Sequence, residues 1–199
     1  MPLHPYLVEN GFTEFEGSMQ QVPEQIELFR KFLREKYIPS TVMEIGFNAG
    51  HSAEIILHYS DKATLLSFDL GDHTYVTCGK KYIDDTFPNR HELILGDSKI
   101  TVPEFIHANP GKKFDMIFID GGHDFETAMT DLKNCRDLAH KDTIVIMDDT
   151  MYYSDSSPAD CGPTNAWVKG IADGLIQEEP NGRKMFDYYR GMSWGKYIF

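Results

Sequence analysis

The chain has 199 residues, 41% hydrophobic and 25% charged, a globular balance with enough length for a hydrophobic core without disulfide staples. Asp and Glu number 31 against 19 Lys and Arg, a formal charge of -12, and no basic stripe gathers the cations, so nucleic acid is disfavoured as a partner and a small molecule favoured. Cys78, Cys135 and Cys161 stand far apart without a CxxC pair, and neither a leader peptide nor a membrane-length apolar run is visible, so a cytoplasmic chain with no membrane partner is expected.

In chain order, Pro23 to Tyr37 reads as an amphipathic helix with Ile26, Phe29, Phe32 and Leu33 on one face. From Thr41 onward, short β-branched apolar runs alternate with longer amphipathic stretches, the pattern of parallel strands joined by crossover helices. The strands predicted are Thr41–Gly46, Thr64–Asp69, His91–Leu95, Phe114–Asp120 and Thr143–Asp148. The helices between them are predicted at Ser52–Tyr59, Tyr75–Phe87, Val102–Ala108 and Phe125–Ala139. Residues 150–163, rich in Ser, Asp, Pro and Gly, read as a lid loop, followed by a helix over Thr164–Asp173 with Trp167 in the core. Met185–Tyr189 and Ser193–Phe199 read as a terminal hairpin across Arg190-Gly191-Met192. Residues 1–199 are expected to form one α/β domain with a helical extension over 1–40, and the terminal edge strand would permit a homodimer.

The informative residues fall at the carboxyl ends of the strands, where open α/β sheets bind ligands. The first is the loop Glu44-Ile45-Gly46-Phe47-Asn48-Ala49-Gly50, with Ser52 opening the helix after it. Its backbone N–H groups and glycines suit close approach of a ligand. The spacing Glu44-x-Gly46-x-x-x-Gly50 is not the GxGxxG of dinucleotide binders, and the glutamate suits a cationic ligand better than a pyrophosphate, which disfavours a nicotinamide oxidoreductase.

This loop resembles the first motif of the class I S-adenosylmethionine-dependent methyltransferases. The resemblance implies a Rossmann-like, doubly wound sheet, mainly parallel with a C-terminal antiparallel hairpin strand. It implies that Glu44, Gly46, Asn48, Gly50 and Ser52 surround the amino acid end of S-adenosylmethionine, that Asp69 meets the ribose hydroxyls, and that Asp97 and Ser98 lie at the adenine.

The second constellation is Asp120-Gly121-Gly122-His123 with Ile146-Met147-Asp148-Asp149. Adjacent strands would bring Asp120, Asp148 and Asp149 together, and three converging carboxylates repel unless a cation neutralises them, with Mg2+ ahead of Ca2+ or Mn2+. These motifs resemble the divalent-cation-dependent O-methyltransferases, nearest the macrolide-sugar branch. That resemblance implies Asp120, Asp148 and Asp149 as metal ligands and His123 as the base that takes a proton from a small-molecule hydroxyl substrate, a catechol or vicinal diol. The competing readings are a metal-independent methyltransferase and a catalytically silent S-adenosylmethionine-binding module. For each acid there is also a plain structural role as a helix cap or turn residue. His51 and His73 on the same loops read as solvent-facing or structural, and Tyr152 and Tyr153 as aromatics able to stack on a flat substrate.

Overall fold

The computed structural model describes residues 2–151, 161–187 and 190–199. Seven strands form one sheet: β1 Thr41–Ile45, β2 Thr64–Asp69, β3 His91–Leu95, β4 Phe114–Ile119, β5 Ala139–Asp148, β6 Ile176–Met185 and β7 Gly191–Tyr197. Their spatial order is β3-β2-β1-β4-β5-β7-β6. The first five are parallel, and β7 runs antiparallel to both β5 and β6. The chain direction across the sheet reverses between β1 and β4, the switch point at which such sheets open a crevice.

Among the described residues seven α-helices accompany the sheet: α1 Leu3–Glu9, α2 Pro23–Lys31, α3 His51–Tyr59, α4 Tyr75–Thr86, α5 Ser98–Ala108, α6 Phe125–Cys135 and α7 Gly162–Ala172. Strand periodicity sorts side chains between two cores, because successive residues point to opposite faces. Val42, Leu65, Met116, Phe118, Ile144 and Ile146 face one core, shared with α1 to α4. Met43, Ile45, Leu66, Phe68, Ile117, Ile119, Val145 and Met147 face the other, shared with α5 to α7. In the first core the ring of Phe29 from α2 meets Phe118 edge-on at 4.9 Å. In the second, Trp167 is fully buried and its indole N–H donates to Glu178 Oε2 at 2.9 Å, so packing is its role. Among the described residues no helix is long and apolar enough to cross a membrane.

Several elements differ from the sequence expectation, among them β5, which starts at Ala139 and not at Thr143 because α6 ends at Cys135 and a 3-10 turn over Arg136–Leu138 follows it. Helix α5 starts at Ser98 and not at Val102, because Asp97 caps it by accepting the Lys99 N–H at 2.9 Å. The first hairpin strand is Ile176–Met185, upstream of the expected Met185–Tyr189, and a register shift between Glu178 and Arg183 absorbs its turn-like Pro180-Asn181-Gly182. The N-terminal extension carries an additional helix, α1, while α2 has Pro23 at its first turn and widens into a π-helical turn over Phe32–Lys36 in which Phe32 and Leu33 stay inside. The lid expected over 150–163 falls largely on 152–160, outside the described residues, as do Tyr152 and Tyr153.

Phe118 is the pivot on which the N-terminal helices rest. Phe118→Ala should destabilise the chain by about 3–5 kcal/mol through loss of buried ring and creation of a cavity. At this chain length that lowers Tm by roughly 10 °C, readable by calorimetry.

Candidate functional site

A cleft of about 1480 Å³ opens at the carboxyl ends of β1, β2, β4 and β5. It exceeds the roughly 300–1,000 Å³ of a pocket for one small ligand, so it has room for two. Its wall includes Gly46, Asn48, Ser52, Asp69, Asp97 and Ser98 on one side and Asp120, His123, Asp148 and Asp149 on the other. Glu16 to Met19 from the N-terminal segment border it as well.

The two sides meet because β1 and β4 are neighbours and their ends nearly touch. The Asp120 N–H donates to the Ile45 carbonyl at 2.8 Å. Gly46 has φ +98°, and a Cβ there would lie 1.9 Å from the Asp120 carbonyl oxygen, so both the conformation and the contact require glycine. Asn48 also takes a left-handed backbone, φ +52°, which turns its N–H toward Asp69. Asp69 Oδ2 accepts that N–H at 2.7 Å and Oδ1 accepts the Gly71 N–H at 2.8 Å, so one carboxylate ties the loop after β1 to the loop after β2. Each oxygen still has lone-pair capacity toward the cleft. Gly50 turns behind the loop at φ +90° against the Phe47 ring and does not reach the cleft wall.

Glu44 does not face the cleft either. It sits on the same strand face as Val42, and its carboxylate is fully buried beneath the loop. Its oxygens accept from the hydroxyls of Ser52 at 2.8 Å and Ser67 at 2.6 Å, and the Ser67 oxygen contacts His91 Nε2 at 2.8 Å. Glu44 therefore touches the cleft only through Ser52 and through the loop it supports. Burial, opposed by these two hydroxyls, pushes its carboxyl up to about 7.

Across the cleft, one ligand atom from each of Asp120, His123 and Asp149 lies within 4.8 Å of the others, close enough to share a cation. Asp149 reaches this point through a left-handed backbone, φ +52°. His123 Nε2 lies 3.0 Å from Asp149 Oδ2, and that hydrogen bond raises the imidazole pKa. Burial together with Asp148 and Asp149 holds the Asp120 carboxyl well above its usual range. Asp148 is turned away from the trio: both its oxygens accept from the Gln25 amide of α2, at 2.8 and 2.7 Å. Burial and the Asp149 charge push its carboxyl up to about 7, with the Gln25 bonds opposing the rise. A close approach fixes the loop carrying His123, since a Cβ on Gly162 would lie 2.0 Å from the His123 carbonyl oxygen.

The capping roles considered for the acids apply to Asp97 and Asp124, which accept the Lys99 and Thr127 N–H groups at 2.9 Å. Neither Asp120 nor Asp149 caps a helix. His51 is buried and not solvent-facing; it packs on Phe15 and His4, and burial pushes its imidazole down to about 4. His73 pairs with Glu16 at 3.0 Å and stacks on Tyr75. Two further residues of the site, Gln25 and Arg190, escaped sequence reasoning. Gln25 shows only as the polar residue on an apolar helix face, and Arg190 as a turn residue.

The methyltransferase-domain family profile matches residues 43–150. Among curated protein sequences none matches the chain. The O-methyltransferase of Bacillus cereus, solved in complex with SAH, superposes with a TM-score of 0.75 at 14% identity, covering 98% of this chain and 88% of that one. TomG of Streptomyces achromogenes, an O-methyltransferase of tomaymycin synthesis solved with SAM, gives 0.73 at 13% identity over 99% and 88%. CalS11, a TDP-rhamnose 3'-O-methyltransferase of calicheamicin biosynthesis, gives 0.61 at 17% identity over 85% and 76%. At these identities the superpositions establish a shared fold.

The buried Glu44 makes stability pH-dependent. Its folded carboxyl holds a proton to higher pH than the unfolded one, so the stability it contributes is complete below the unfolded pKa and is lost as pH rises through about 7. Glu44→Gln should melt near wild type at pH 5 and above wild type at pH 8. Equal displacement at both pH values would contradict the assignment.

Proposed function

This chain belongs to the methyltransferase-domain family, and we propose that it is an S-adenosylmethionine-dependent O-methyltransferase acting on a small catechol or vicinal diol with the help of a divalent cation. The observation that carries the reading is the grouping of Asp120, His123 and Asp149 within 4.8 Å, in the same cleft as the Gly46–Asn48 loop and Asp69. The residues present fit both groups. A carboxyl pushed up by burial and then by neighbouring carboxylates, as Asp120 is, gains from a bound cation, and such oxygens favour a hard ion with Mg2+ first. The close-approach glycine, the exposed loop backbone and the Asp69 carboxylate suit a nucleoside carrying an amino acid.

In this reading Asp120 and Asp149 hold the cation, and Gln25 fixes Asp148 behind them. Asp69 takes the ribose side, Asp97 and Ser98 border the adenine, and Ser52 with the loop backbone meets the amino acid end. When bound, the cation lowers the pKa of a substrate hydroxyl, and S-adenosylmethionine supplies the methyl group for a direct displacement. His123, with Nε2–H donating to Asp149, presents Nδ1 as the acceptor for the hydroxyl proton. The two neighbours solved with SAH and SAM support the cofactor in this reading, and the sugar methyltransferase supports the vicinal diol.

Calorimetry should show wild-type chain binding S-adenosylmethionine and Asp69→Ala binding at least about ten-fold more weakly, the loss of a charge-assisted hydrogen bond. EDTA should abolish methyl transfer to a catechol panel and Mg2+ restore it. Absence of binding by the wild type sinks the whole reading, while transfer indifferent to chelator removes the cation. Binding without transfer to any diol would favour the silent module.

A further inference from the structure

The cleft is lined with acids, yet one guanidinium stands among them. Arg190, just ahead of β7, lines the same cleft as Asp120 and Asp148. Its own bonds go to neutral acceptors: Nη1 donates to the Ser18 carbonyl at 3.1 Å, and Nη2 makes a long contact with Gln21 Oε1 at 3.4 Å. Among the described residues no ion pair joins its guanidinium to a carboxylate, the one carboxylate contact being from its backbone N–H to Asp187 Oδ1 at 2.8 Å, although the chain carries a net charge of -12. The other basic side chain in the wall, Lys99, differs in being 3.8 Å from Asp97.

A half-buried guanidinium that bonds only neutral oxygens keeps N–H donors in a planar fork, and that fork matches a carboxylate. Elsewhere in the wall Glu16, Asp72 and Asp124 would repel an anion, and a cation on Asp120 and Asp149 would be taken up by the two adjacent substrate oxygens, so a further negative charge on the ligand is best met by the Arg190 guanidinium. We propose that Arg190 is the anion-recognition residue of the substrate subsite, and that the substrate carries a carboxylate in addition to its two adjacent oxygens. The proposal rests on the methyltransferase reading above and narrows its substrate from catechols or diols in general to acidic ones.

The test uses two probes of nearly equal shape, 3,4-dihydroxybenzoate and 3,4-dihydroxybenzamide, titrated calorimetrically into the full chain saturated with S-adenosylhomocysteine and Mg2+. Wild type should bind the acid about ten- to hundred-fold tighter than the amide, the span of a charged hydrogen bond. In Arg190→Gln the ratio should fall close to one through loss of acid affinity, and Arg190→Lys should retain part of it. Retained S-adenosylmethionine binding by Arg190→Gln shows that the variant has folded and that the contact with Ser18 is not what is being measured. Equal affinities in the wild type, binding of neither probe, or an acid preference that survives Arg190→Gln overturns the assignment. A wild-type chain that fails to bind S-adenosylmethionine overturns instead the reading on which it rests.

Discussion

The contact between Gly46 and the Asp120 backbone is the constraint from which the site follows. The Asp120 N–H closes onto the Ile45 carbonyl, and the Gly46 backbone comes so near the Asp120 carbonyl that no side chain fits between them. That approach exists because β1 and β4 are paired in parallel through Ile45 and Ile119 at the switch point of the sheet. It sets a turn able to hold a nucleoside-linked amino acid directly beside a carboxylate able to hold a cation. Methyl transfer needs that proximity more than it needs any one group, since orienting two reactants supplies much of the rate.

Charge is managed differently on the two sides. Beneath the loop, burial pushes the Glu44 carboxyl up to about 7, and its two serine partners keep it satisfied inside a core. At the open side, Asp120, Asp148 and Asp149 crowd one another at the end of β4 and β5, and the protein leaves their repulsion only partly answered by Gln25, His123 and Arg190. In the proposed function a cation bound there would relieve repulsion already present in the free protein. Gln25 also means that the N-terminal helix α2 helps to build the acidic site as well as to cover the sheet.

Much of this was legible in the sequence, for identifiable reasons. Four of the five parallel strands announced themselves through mostly apolar runs, since they are largely buried on both faces, whereas β3 at the sheet edge is partly exposed. The loop and the acids were legible because the fold collects strand ends on one edge, so the position along the strand is already a position in space. Glu44 was legible as a special residue but not in its orientation. Period-two alternation puts it with Val42, facing the core under the loop, whereas the glycine spacing alone suggested a carboxylate aimed at a ligand. The β6 strand was hidden by Pro180-Asn181-Gly182, a turn signal that a register shift accommodates. Gln25 and Arg190 could not be read at all, because each acts across contacts of more than a hundred residues in sequence that only the tertiary structure creates.

Central to the proposed function is a single cation site formed by the acids at the ends of β4 and β5. Electron paramagnetic resonance of Mn2+ titrated into the purified chain at neutral pH measures this without requiring a substrate. The account predicts one bound Mn2+ per chain, released by excess Mg2+ and lost in Asp120→Asn and in Asp149→Asn, each of which removes a carboxylate from the Asp120, His123 and Asp149 group. No stoichiometric Mn2+ in the wild type, or binding that persists undiminished in both variants, would contradict it.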